Sequence, residues 1–257
     1  RLLACLAALL YVYCSRGSEL KISFKDDYRF DWEIIKKIFT VGLPSAMEQF
    51  VLQSGLMLFA KIVAGLGTAG FAAHQIGLNI SGMAFAPSMA FGVAATTLVG
   101  QSLGAGNTEK AEEYARLIRR VAMVTAGFMG LIFILFSHAL ARLYTSDTVV
   151  AGMAGTVLKI LALAQPGQST QLTLAGALRG AGDTMYPLYA SIIGIWFFRV
   201  GATFLFVNVF GWGLIGAWIA LVTDQYIRSA VIYFRFRSGK WKYLKTRVGE
   251  GKVKAVC

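Results

Sequence analysis

Ionisable and amide side chains set inside apolar runs are the groups with chemical potential in this 257-residue sequence. A charge at the centre of a lipid-facing helix costs about 2.5–3.5 kcal/mol, so each one that persists needs a partner, a cavity or a task. Glu48 follows Pro44 by one helical turn, where the proline frees a backbone carbonyl, and Gln49 and Gln53 stand beside it. This carboxylate can take a proton, a sodium ion or an organic cation, or it can rest hydrogen-bonded near one interface. Gln75 and Asn79 share a helix face at a spacing of four. Gln165, Gln168 and Gln171 recur at steps of three beside Pro166. Amides turned to lipid are expensive, so both sets are expected to face the bundle interior, lining a polar cavity or joining helices. Arg199 and Asp224 flank a turn near residue 210 at similar depth, and Asp224 can also reach Arg228 one turn on. Their expected role is a structural ion pair. Lys61 and Lys159 can snorkel.

Covalent and metal chemistry find no footing. There is no Ser/His/Asp set, no paired histidine and no phosphate loop. His74 and His138 lie far apart without acidic companions, and Cys5, Cys14 and Cys257 form neither a ligand spacing nor a disulfide framework. An enzyme, a metal and an organic cofactor are therefore not expected.

The elements that must position these groups are apolar helices. Apolar residues make up 56% of the chain and charged residues 15%, with mean hydropathy +0.61. Soluble domains carry roughly 25% charged residues. Several runs reach the ~20 residues that cross a ~30 Å hydrocarbon core, where only helices or closed barrels satisfy the backbone. The fold class read here is all-α, a polytopic transmembrane bundle. Full spans are predicted at 38–64, 70–100, 117–139, 148–178, 186–208 and 212–234, joined by short glycine-rich turns near 65–70 and 210–213. Residues 1–14 read as the end of a severed preceding helix, and 15–37 as a linker holding an interfacial amphipathic helix from Tyr28. Residues 38–237 form the six-helix lobe and 238–257 a basic tail.

The net charge is +12. Lys and Arg are concentrated in 16–37, 101–120, 179–185 and the stretch from 228, whereas the alternate loops hold only Arg142. The positive-inside rule then places the linker and tail in the cytoplasm, and this topology explains the basic blocks without a nucleic-acid partner.

Three glycine-bearing stretches lie on that same side. They are Gly42-Leu43-Pro44-Ser45-Ala46-Met47-Glu48-Gln49, the run Val99 to Ala111 (VGQSLGAGNTEKA) and the run Ala177 to Thr184 (ALRGAGDT). Gly104, Gly106, Gly180 and Gly182 suit positive φ and close backbone approach. Asn107 or Thr108 can cap one helix, and Asp183 or Thr184 the next. Pro44, Pro166 and Arg179 complete this set of hinge and cap positions.

With Ala72-Ala73-His74-Gln75-Ile76, these stretches resemble the multidrug and toxic compound extrusion (MATE) family over about residues 34 to 243, in the order of that family's second half. The resemblance implies a twelve-helix antiporter of two six-helix lobes in the cell membrane, of which this would be the carboxy-terminal lobe. Its partners would be the amino-terminal lobe, the lipid bilayer and small organic, often cationic, substrates, with H⁺ or Na⁺ as the coupling ion. One departure is visible. In a sodium-coupled branch the fourth-span pattern carries an acid where Gln168 stands, and another acid where Leu52 or Gln53 stands. The main coupling carboxylate is therefore expected in the amino-terminal lobe. A lipid-linked oligosaccharide flippase of a related superfold and a non-transporting membrane scaffold are the alternatives.

Overall fold

The computed structural model describes residues 32–243. The expectations for the severed helix, most of the linker, the three cysteines and the end of the basic tail lie outside the described residues. The chain divides into units Arg1–Ile38 and Phe39–Cys257, and the account below concerns the second.

Six long helical segments follow in order: α1 Trp32–Ala64, α2 Thr68–Gly104, α3 Thr108–Arg142, α4 Thr148–Gly180, α5 Met185–Val209 and α6 Gly213–Arg237, then a short 3-10 turn Lys240–Tyr243. Five of them, α1 to α5, are long and apolar enough to cross a membrane. The sixth predicted span, α6, is long enough but less apolar than these five, because it carries Asp224, Arg228, Arg235 and Arg237. Asp224 and Arg228 are buried, so α6 hides this charge inside the bundle rather than presenting it to lipid.

The predicted boundaries are too short where charge begins. The apolar centre predicted at 117–139 is the middle of α3, whose first two turns hold Glu109, Lys110, Glu112 and Glu113. These are good helix formers, and hydropathy ceases to mark a helix once it leaves the hydrocarbon. The interfacial helix expected from Tyr28 begins outside the described residues, whose first helix starts at Trp32. The plain helix predicted at 186–208 is π-helical over Ile193–Gly201 and Leu205–Val209.

Asn107 caps α3 by accepting a 2.9 Å hydrogen bond from the Lys110 amide, and Asp147 caps α4 by accepting from Val149 and Val150. Asn107→Ala is expected to cost about 0.5–2 kcal/mol. A lower midpoint in thermal unfolding of the purified protein would register it, and an unchanged midpoint would refute it. Thr184 occupies the N-cap of α5 without a side-chain bond, and Asp183 is taken by Arg235, so neither caps as predicted. Gly106 (φ 74°) and Gly182 (φ 82°) adopt the left-handed backbone; Gly104 neither does so nor approaches a neighbour.

α4 is the centre of the bundle and packs against α2, α3 and α6. The α2–α4 contact is backbone to backbone. A Cβ on Gly176 would overlap the Gly92 carbonyl, and one on Gly180 would overlap that of Thr96. The Thr96 hydroxyl donates to the Gly176 carbonyl at 2.9 Å. Small residues at fourfold spacing permit this approach where lipid offers no hydrophobic drive between helices.

Two apolar cores result. One gathers Phe59, Val63, Ile76, Ile80, Phe133, Leu158 and Trp218. The other gathers Val99, Ile118, Leu174, Leu178, Ile232, Phe236 and Trp241. On α4 and α6 the buried residues between these cores are largely polar, and α2 and α5 add single buried polar side chains at Ser88, Ser191, Arg199 and Thr203.

Candidate functional site

That intervening layer is the site. On α4 the apolar core ends at Ala164 and resumes at Leu174, and Gln165, Gln168, Ser169, Thr170, Gln171 and Thr173 lie buried between. On α6 the gap between Leu221 and Ile232 holds Asp224, Gln225, Arg228 and Ser229. On α5, between Ala190 and Val207, it holds Ser191, Arg199 and Thr203. Periodic amides on a central helix and charges on its neighbours therefore meet at one depth.

Asp224 is fully buried and takes two cations. Arg199 Nη2 lies 2.6 Å from Oδ2, and Arg228 Nε lies 2.9 Å from Oδ1. Arg228 Nη2 also donates to Oδ2 at 3.2 Å and to Gln225 Oε1 at 2.9 Å. The Nε approach of Arg228 is electrostatic, because that N–H and Oδ1 form no directed hydrogen bond. The π-helical stretch of α5 contains Arg199, and π turns often mark functional positions. Gly194 in the same stretch lies against this pair: a Cβ there would overlap the Arg228 side chain and Asp224 Oδ1.

Glu48 lies at the end of this layer. It is 3% exposed, accepts from Arg179 Nη2 at 2.6 Å, and accepts from the Ser191 hydroxyl at 3.3 Å. The buried charges of this layer balance, Glu48 and Asp224 against Arg199 and Arg228, and the half-buried Arg179 adds a cation at Glu48. Around this layer, Asp183 pairs with Arg235 Nε at 2.7 Å, and the Arg235 guanidinium lies 3.9 Å over the Tyr186 ring. The Arg179-to-Asp183 stretch, read from sequence as hinge and cap, thus clamps α1 through Glu48 and α6 through Arg235.

The amides separate. Gln165, Gln168 and Gln171 are buried, and Gln165 makes only a 3.5 Å bond to the Leu161 carbonyl. Gln75 and Asn79 do not face this bundle's interior: they lie exposed on α2, as Gln49 and Gln53 do on α1. The exposed pairs share helix faces at fourfold spacing. Pro44 and Pro166 both sit within their helices. Gly104 contributes no contact to this layer.

Sequence reasoning did not bring out Ser191, Gln225, Arg235 or Gly194. It singled out Arg179 without its partner. Gln225 adjoins a singled-out acid and was detectable; the others depend on contacts distant in sequence. Among the described residues no group of three His, Cys, Asp or Glu could hold a metal ion. His74 is buried among Phe59, Phe71 and Trp218, with neither ring nitrogen hydrogen-bonded.

The arrangement defines a polytopic α-helical membrane protein built around a buried polar layer. The family model MatE matches residues 44–205, and the chain belongs to that family of transporters. The probable multidrug resistance protein NorM of Thermotoga maritima is 36% identical over 211 residues, 82% of this chain and 46% of that protein. Its namesake in Pasteurella multocida is 32% identical over 238 residues, 89% of this chain and 51% of the relative. The chain spans about half the length of these curated relatives. A crystal structure of MATE in complex with MaL6 superposes with TM-score 0.84 at 22% identity, covering 93% of this chain and 55% of that one, which shows the fold.

Proposed function

We propose that the protein containing this chain is a secondary active exporter of amphipathic, often cationic, organic compounds, driven by exchange for H⁺ or Na⁺. Family membership and the names of the curated relatives support the drug class. The structural observation that carries the reading is the exposed amide face: Gln49 and Gln53 on α1, Gln75 and Asn79 on α2. Exposed amides on apolar helices are poorly suited to lipid and well suited to a water-filled space shared with a second lobe. Glu48, held by Arg179 and Ser191, is engaged, which favours a coupling carboxylate in the amino-terminal lobe. The linker and basic tail face the cytoplasm in this reading, the membrane being the cell membrane, and α1 to α6 rock against the other lobe around the shared space.

Fluorescent-dye efflux by the full-length protein tests it. Efflux is expected to stop when the ion gradient is collapsed, and Gln75→Leu with Asn79→Leu is expected to slow it several-fold at unchanged protein level. ATP-driven efflux indifferent to the gradient would sink the proposal. Coupled efflux that survived neutralisation of every membrane carboxylate in the amino-terminal half would sink the placement of the coupling group.

A further inference from the structure

We propose that a cavity between α3 and α6, at the end where Lys242 pairs with Glu112, holds the headgroup of an anionic glycerophospholipid. The cavity is about 390 Å³ and is lined by Arg116, Arg119, Arg120, Arg237, Glu112, Tyr233 and Phe236. Four guanidinium groups thus face one carboxylate, and that carboxylate is already shared by Arg116 and Lys242. Arg119 lies 5.2 Å over the Tyr233 ring. Arg120 and Arg237 have no acidic partner among the described residues. An adjoining cavity adds Glu109 and Glu113 beside Arg116, Leu117 and Arg120, giving acceptors for the hydroxyls of a glycerol headgroup.

Three features point to a lipid as the source of the phosphate. The cavity lies toward the charged end of α3, whose following turns are apolar enough to span a bilayer, so it sits at headgroup level. From Leu117, which lines the adjoining cavity, an exposed apolar stripe runs down α3 through Val121, Val124, Phe128, Leu131 and Leu135. That alternating spacing of four and three keeps one face, where an acyl chain can lie against the helix. Between Arg120 and Arg142 the exposed face of α3 carries no Asp, Glu, Lys or Arg, as a side turned to acyl chains requires. Arg forks match phosphate oxygens, and basic pockets between membrane helices suit anionic headgroups. This inference does not depend on which compound is exported.

Native mass spectrometry of the purified full-length protein, titrated with dioleoylphosphatidylglycerol, tests it. Wild type is expected to retain this lipid in preference to phosphatidylcholine. Arg119→Gln, Arg120→Gln and Arg237→Gln combined should weaken retention on the order of a hundredfold. The corresponding triple lysine variant should keep most of it. If the glutamine triple fails to fold, Arg120→Gln and Arg237→Gln singly should each weaken retention about fivefold. Wild-type retention by these variants overturns the proposal. So does phosphatidylethanolamine binding as tightly as phosphatidylglycerol, which would mean a zwitterionic headgroup. Displacement by inorganic phosphate at equal concentration also overturns it, since the site would then serve a free anion.

Discussion

Asp224→Asn should sharply reduce the amount of folded protein in the membrane and lower the thermal midpoint of what remains. The substitution changes little in volume, but it leaves Arg199 and Arg228 buried without the carboxylate that lies 2.6 and 2.9 Å from them. Removing one member of a buried pair costs about 3–5 kcal/mol, because the surviving charge stays desolvated. Here two cations are stranded, and Glu48 is the remaining negative charge of the buried set, already engaged by Arg179. That loss rivals the whole ~5–15 kcal/mol stability of a typical fold. The complementary variant separates charge from packing. Asp224→Leu with Arg199→Met and Arg228→Met removes all three charges together, and should recover much of the folded yield while efflux falls if the layer serves transport. Detergent-solubilised protein, followed by size-exclusion profile and thermal midpoint, reads both. Equal midpoints for wild type and Asp224→Asn would show that the ion pair does not hold α5 to α6.

Gly176→Leu should be comparably damaging for a different reason. A first side-chain carbon at 176 already overlaps the Gly92 carbonyl and would lie 2.8 Å from its carbon. The obstacle is backbone, which cannot rotate away as a side chain can. α2 and α4 must then separate, breaking the Thr96-to-Gly176 hydrogen bond and opening the contact at Thr96 and Gly180. Ordinary overpacking costs about 1–3 kcal/mol, and a forced helix displacement through the most buried helix should exceed that. Gly104→Ala is the internal control. Gly104 ends α2 with open space around it and no positive φ, so alanine there should be neutral or slightly stabilising through helix propensity. A folded yield for Gly176→Leu equal to that of Gly104→Ala would refute the close-packed contact.

The buried layer links these effects. It sits between two apolar cores, and the tight glycine contact at Gly176 borders it, so substitutions of its charges act on electrostatics and packing together. The exposed amides of α1 and α2 are different. They bear little of the bundle's stability, and changes there should register in transport before they register in folding.

Local chemistry determined much from the sequence alone. Apolar runs of membrane-spanning length need only a count along the chain, since a helix satisfies its own backbone wherever lipid surrounds it. The MATE resemblance was legible for the same reason, being carried by short contiguous stretches. The Asp224 pairing was legible because a short turn and a constant rise fix the depth of residues on a hairpin. Other features required tertiary structure. Glu48 and Arg179 stand 131 positions apart, and no periodicity says that one meets the other. Gln75 and Gln168 look alike as amides in apolar helices, yet one is exposed and the other buried, because outward and inward faces depend on which helices surround each. The tight α2–α4 approach likewise depends on two glycines from distant segments meeting. Span, cap and charge are properties of a segment and its solvent, whereas partner, face and proximity are properties of the packed bundle.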